Sequence, residues 1–338
     1  MKAKAIIGAV FVAAMIASAA NAEPVRIRIG WAQVPTQMTP LVAELAKTHP
    51  ALFPNLNKTY TYEPMRFQGS PPQIQAFAAS EIEVAAYGPS ALALSVTNAH
   101  LDPRVIADIA QDGSSHGFYS TWWAVRKDGP IKTLADLKGH TVIVNAKGAT
   151  TDMLLRKMTR NSGVADTDFT EIEADFTNML PMLEAGKGDA APVMAQFSHD
   201  FEATGHYRTL FTTTDAVGGD DETLFWVMKA DFIKANRPAI VDMLTDHMAA
   251  IRWFLDPANR NDALAITHDF TKQSLQSLDY AFTKDDVYRS PDLMPVIPPI
   301  QKDIDIAVSM KMLPASIDVS KYVDVSMVAE AAKRFPPK

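Results

Sequence analysis

Cysteine is absent from all 338 residues, which excludes disulfides, thiolate metal sites and thiol nucleophiles together. The patterns G-x-G-x-x-G, G-x-x-x-x-G-K-[ST] and H-E-x-x-H are missing too, so none of the usual dinucleotide, nucleotide or zinc-protease sites is expected. Eight histidines are scattered, and the nearest pairs (His199 with His206, His247 with His268) lack ligand spacing. The sixteen methionines form no M-x-x-M array that would suggest copper, and they read as core filler. No metal and no cofactor is expected. Positive charge is also short, with 32 basic against 39 acidic residues, which disfavours nucleic acid and anionic lipid as partners. Beyond the N-terminus there is no apolar run long enough to span a bilayer.

The N-terminus carries a distinct pattern. Lys2 and Lys4 precede an apolar stretch from Ile6 to Ala17, and Ala20-Asn21-Ala22 is a small-x-small triplet. Residues 1–22 therefore read as a cleaved secretory signal peptide. No cysteine follows it, so lipidation is not expected. Loss of the two lysines leaves 30 basic residues and a net charge near −9 on the exported chain.

The remainder repeats one grammar of apolar strand, polar loop and helix start. Ile27 and Ile29 alternate with Arg26 and Arg28, as in a strand with two unlike faces. Thr39-Pro40 reads as an N-cap followed by proline at the first helical position. Ser70 and Gln73 have capping-box spacing around Pro71. The pattern restarts with TLADLKG, the strand HTVIVNA, the loop Lys147–Thr151 and the helix DMLLRKMTRNSG. NMLPMLEAG reads as a helix interrupted by Pro181. Strands alternating with helices predict α/β sheets with ligand crevices at the carboxyl ends of the strands.

Loops before helices are where chemistry is expected, because unpaired N–H groups and the macrodipole favour anions there. The candidates are Gln37 to Thr39, Gly69-Ser70, Tyr87 to Ser90 and Thr150-Thr151. The segment 113–127 crowds Phe118, Tyr119, Trp122 and Trp123 beside polar residues. It has two readings: ordinary packing, or an aromatic wall for a ligand that includes Tyr119 and one of the two tryptophans, Trp122 being the candidate. Gly113-Ser114-Ser115-His116-Gly117 matches G-x-S-x-G. The residues after it read as a strand, whereas a nucleophile elbow requires a helix, so catalysis is not the expected reading. Asp220-Asp221-Glu222 reads as a solvated turn.

Several stretches resemble substrate-binding proteins of ABC importers, of the nitrate/sulfonate/taurine type. They are VRIRIGWAQVPTQ, QGSPPQIQAFAASEIEVAAYGPSAL, VIADI, IKTLADLKGHTVIVNAKGATTDMLLRKM, LEAGKGDAAPVM and ADFIKANRPAIVDMLTDHMAAIRWF. The resemblance implies a type II periplasmic-binding fold: α/β, with two mixed, mostly parallel sheets flanked by helices and joined by two hinge strands. It implies a first lobe from 23–128 and 220–338, with C-terminal helices, and a second from 129–219. It places ligand contacts on Trp31, Gln33, Gly69, Ser70, Tyr87, Gly88, Ser90, Thr150 and Thr151, with Met194 and Glu222. The acidic-Gly pattern usual near the second helix is replaced by Ala-Ser-Glu-Ile-Glu, and GWAQVPTQM offers no basic residue. The family's thiamine-precursor enzymes use a Cys-rich motif that this chain lacks.

The expectation is thus a monomeric, non-enzymatic periplasmic receptor. It would capture a small organic anion, of sulfonate or aromatic carboxylate class, and deliver it to a membrane permease. The alternatives are a secreted serine hydrolase using Ser115, and a receptor that presents its ligand to a sensor kinase.

Overall fold

The computed structural model describes residues 23–113 and 117–335. The signal-peptide reading and Ser115 therefore lie outside the described residues. Among the described residues there are ten strands: β1 Val25–Trp31, β2 Tyr60–Arg66, β3 Val84–Tyr87, β4 Pro103–Asp112, β5 Trp122–Arg126, β6 Thr141–Val144, β7 Thr170–Glu173, β8 Ala190–Val193, β9 Tyr207–Thr212 and β10 Asp221–Lys229. The α-helices are α1 Thr39–Thr48, α2 Ser70–Ala78, α3 Pro89–Thr97, α4 Thr150–Asn161, α5 Phe176–Glu184, α6 Ala195–Thr204, α7 Thr213–Val217, α8 Ala230–Leu255, α9 Arg260–Thr271, α10 Ile297–Ser309 and α11 Ser326–Ala332. Among the described residues, no helix is long and apolar enough to cross a membrane.

The strands form two five-stranded sheets, in the orders β2-β1-β3-β10-β4 and β7-β6-β8-β5-β9. In the first, β1 runs parallel to β2 and β3, while β10 is antiparallel to β3 and β4. The second follows the same scheme: β6 is parallel to β7 and β8, and β5 is antiparallel to β8 and β9. The likeness of the two halves in sequence is a likeness of topology. The chain crosses between sheets after Asp112 and returns after Val217. Trp122–Arg126 precedes the expected lobe boundary at residue 128, yet it pairs with β8 and β9 in the second sheet. Its small and aromatic residues complete that sheet's buried centre.

Local chemistry explains these elements. Ile27 and Ile29 of β1 are fully buried. Arg26 and Arg28, on the other face, pair with Glu63 and Glu83. α8 lays Ile240, Leu244, Met248 and Ile251 into one core with Ile27, Ile29 and Met228. A second core joins the halves, since Tyr87 and Phe225 of the first sheet belong to the same apolar cluster as Trp123 and Val142 of the second.

The expected caps shift by one residue. Thr39 and Ser70 are first helical residues, and Met38 and Gly69 occupy the cap positions without side-chain cap bonds. The Ser70 hydroxyl instead donates to the Ala86 carbonyl at 3.0 Å. Gln73 accepts from the Ala86 N–H at 2.8 Å and donates to the Gly69 carbonyl. These side chains fasten α2 to β3, so no capping box forms. Pro181 lies inside α5 without ending it.

Candidate functional site

The carboxyl ends of β1, β3, β6 and β8 all lead into helix starts. Between the two sheets, the segments that follow β1, β2, β6, β7 and β8 border a cavity of about 80 Å³. That is room for several waters, at roughly 10–15 Å³ each, or for one compact polar group. The first sheet contributes Gln33, Thr36, Gln37, Gly69 and Ser70; the second contributes Asn145, Thr150, Thr151, Phe176 and Met194. Gln68, Thr223 and Leu224 complete much of the wall. Among the described residues, no lysine, arginine, histidine or carboxylate lines it.

The electrostatics therefore come from backbone and neutral polar groups. The starts of α2, α4, α5 and α6 border the space through Gly69-Ser70, Ala149 to Thr151, Phe176 and Met194. Such termini direct N–H groups and positive macrodipole ends outward. Asp152, in the first turn of α4, is occupied on that helix's far side, binding the Gly148 N–H at 2.7 Å and Arg156 at 2.7 Å. Gln37 accepts from the Ala32 N–H at 2.6 Å, which fixes its side chain across the loop. Thr151 donates to Asn145 at 2.5 Å.

The two halves are closed upon one another. Thr36 donates to Gln196 at 3.2 Å, and Ser90 donates to the Gly148 carbonyl at 3.0 Å. A Cβ on Gly88 would stand 2.4 Å from Thr150 Oγ1, so the β3–α3 turn meets α4 at a distance only glycine permits.

Of the residues expected at the site, Gln33, Gln37, Gly69, Ser70, Thr150, Thr151 and Met194 line the cavity. Gly88 and Ser90 instead hold the halves together. Trp31 is buried at the end of β1, edge-on to Phe270. Tyr87 is buried edge-on to Phe77. Trp122 packs beneath α6, edge-on to Phe201, and Trp123 stacks on Phe211 at 4.2 Å. Neither tryptophan lines the cavity; β5 lies between β8 and β9, and both side chains are buried there. Tyr119 donates to the Val193 carbonyl at 2.9 Å and faces a separate groove.

Glu222 is a correction. It is fully buried, accepts from the Val296 N–H at 2.7 Å, and faces Asp108 rather than the cavity. Burial and the Asp108 carboxyl push its own carboxyl well above the usual range. Asp221 is likewise buried and pushed up, by burial and by Asp303, which overturns the solvated-turn reading of 220–222. Both side chains stand at the start of β10, an interior strand that α10 packs against, and so are buried.

Sequence reasoning missed Thr36, Gln68, Asn145, Phe176, Thr223 and Leu224. Asn145 carried a usable signal, standing directly after β6 at a carboxyl end. Among the described residues no group of three or more His, Asp or Glu is arranged to hold a metal ion.

The NMT1/THI5-like family model matches residues 104–258. That segment runs from β4 through the whole second sheet and into α8, and so supplies the Asn145–Thr151, Phe176 and Met194 side of the cavity. No curated protein matches the chain. Among solved structures, the alkanesulfonate-binding protein SsuA of Xanthomonas axonopodis pv. citri, bound to MOPS, is 19% identical with a TM-score of 0.68. The match covers 90% of this chain and 99% of that one. The periplasmic nitrate-binding protein NrtA of Synechocystis PCC 6803 is 16% identical with a TM-score of 0.68, over 92% and 89% of the two chains. The desulfurization enzyme DSZB is 11% identical with a TM-score of 0.63, over 92% and 99%. The chain thus has the two-lobe α/β fold of periplasmic binding proteins, a fold that DSZB also has.

Proposed function

We propose that this protein is an exported, periplasmic solute receptor of an ABC importer. It captures a small organic anion between its two sheets and delivers it to a membrane permease. The observation that carries this reading is the cavity itself, bordered by four helix starts drawn from both sheets and, among the described residues, by no charged side chain. Converging N–H dipoles favour a sulfonate or carboxylate head without fixing it to a buried counter-ion. Such a head would be released when the halves part. The relatives named as sulfonate- and nitrate-binding proteins support the ligand class. The two-sheet division supports closure by motion of the lobes about their two connections.

Thermal-shift screening tests the reading. Alkanesulfonates, aromatic carboxylates and nitrate are expected to raise the melting temperature, by mass action on the closed form. Stabilisation by sugars or amines alone would overturn it.

A further inference from the structure

A groove of about 740 Å³ lies between α6 and the segment 264–285. It shares a wall with the cavity. Tyr119, Ala195, Tyr280 and Leu224 pack around one small cluster with Ala110 and Val287. The first three line the groove, whereas Leu224 and Met194, the neighbour of Ala195, line the cavity. On the cavity side, Gln196 is held to Thr36 through its carbonyl oxygen.

Two hydrogen-bonding groups on this partition are unfulfilled. The Tyr280 hydroxyl is buried without a partner, and so is the amide nitrogen of Gln196. Burial, with Asp286 nearby, holds the Tyr280 hydroxyl in its neutral, proton-donating form. Buried donors are seldom left unpaired, and two on one thin wall point to an acceptor that passes between them.

The groove also has a sign of charge. Glu202, Asp279 and Asp285 line it, and among the described residues no lysine or arginine does. Asp279 is engaged by Arg260 at 2.9 Å. Glu202 and Asp285 form no ion pair among the described residues. Leu264 and Leu275 supply apolar surface beside them.

We infer that cavity and groove are two compartments of one solute site, and that the solute is an anion-headed molecule with an extended tail. The head occupies the cavity, and the tail passes Gln196 and Tyr280 into the groove. The tail ends in an apolar or cationic group and not in a second anion. The inference rests on the solute-receptor reading and deepens it.

The test is calorimetric titration, at pH 7, of methanesulfonate, hexanesulfonate, and the hexanesulfonates bearing a terminal amine or a terminal carboxylate. The methyl-ended and amine-ended chains are expected to bind at least about tenfold more tightly than methanesulfonate, and the carboxylate-ended chain about tenfold more weakly than the amine. In the variant Glu202→Gln/Asp285→Asn, whose folding a melting curve verifies, amine and carboxylate affinities converge. Equal binding of methanesulfonate and the long chains, or of amine and carboxylate ends to the unaltered protein, overturns the inference and leaves the receptor reading standing. Absence of binding by every sulfonate overturns both.

Discussion

Arg289 and Asp286 form an ion pair at 2.9 Å whose side chains are 2% and 0% exposed. The same guanidinium donates to the carbonyls of Pro35 at 3.0 Å and Thr36 at 3.2 Å. Asp286 also accepts the N–H groups of Phe282 and Val287. A C-terminal segment thus suspends the loop that forms one wall of the cavity, across more than 250 residues of chain.

Replacing Arg289 by methionine leaves Asp286 buried without its cation. Breaking one side of a buried pair is expected to cost about 3–5 kcal/mol in urea denaturation. Arg289→Lys should cost less, because the charge is kept. A lysine, however, cannot reach the carboxylate and both carbonyls from one planar fork. Both variants should therefore weaken sulfonate binding, while only the methionine variant shows the full stability loss. Unchanged binding in both would mean that the loop holds its shape without this anchor.

The tryptophan pair gives a test of packing against recognition. Trp123 is fully buried and stacked on Phe211 at 4.2 Å. Trp123→Ala should cost about 3–5 kcal/mol of stability, as large core truncations do. Its effect on ligand selectivity should be nil once the fraction folded is taken into account. A change in the order of ligand preference would restore the aromatic-wall reading.

Gly88→Ala addresses closure. Its φ of −90° suits alanine, so the substitution strains no backbone. The added methyl would meet Thr150 Oγ1 at 2.4 Å across the cleft and the Thr223 carbonyl at 3.3 Å. The expected result is a normal melting curve without ligand, with affinity lower by about tenfold, or about 1.4 kcal/mol. Adding Thr150→Ala removes the clashing oxygen and should restore the compact form in small-angle scattering. If Gly88→Ala alone binds and compacts normally, the contact is not limiting.

The strand-and-helix grammar was legible because each element is short, periodic and punctuated by proline or glycine. The cavity was legible where it follows from position in an α/β sheet: Gly69-Ser70 and Thr150-Thr151 stand at carboxyl ends, and both line it. What was hidden depends on distant chain. Nothing near Arg289 announces that it holds Thr36, and Tyr280 meets Tyr119 only through the folded partition. Acidic residues misled for a related reason. Asp220-Asp221-Glu222 looks like a surface turn until α10 and β4 cover it with Asp303 and Asp108. The aromatic run left two readings open because nothing in its own residues says that β5 joins the second sheet as an interior strand, where both faces are buried.

Those covered carboxyls make stability depend on pH. Asp108, Asp112, Asp221, Glu222 and Asp303 are each buried near the two crossings between the sheets. Asp221 faces Asp303 on α10 and Asp112 on β4, with Lys157 of α4 and Lys302 of α10 nearby; Glu222 faces Asp108, itself near Arg289. Burial pushes Asp108 and Asp303 up to about 6, and also raises Asp221 and Glu222 well above the usual carboxylate range. Each group binds its proton more tightly folded than unfolded. Their stabilising contribution is therefore complete below the unfolded carboxyl range, at about pH 4, and is lost as the pH rises through the folded values. The limiting slope is about 1.4 kcal/mol per pH unit for each proton released. His247, which burial depresses to about 3, works the other way, weakening the fold as the pH falls. The comparison must therefore be between proteins rather than along one curve. The variant Asp221→Asn/Glu222→Gln keeps the shapes and removes two titrating groups. Between pH 5 and 8 its melting temperature should fall less than that of the unaltered protein, whereas below about pH 4 the two profiles should run parallel. Parallel profiles over the whole range would mean that these carboxyls are hydrated and ionised in the folded protein.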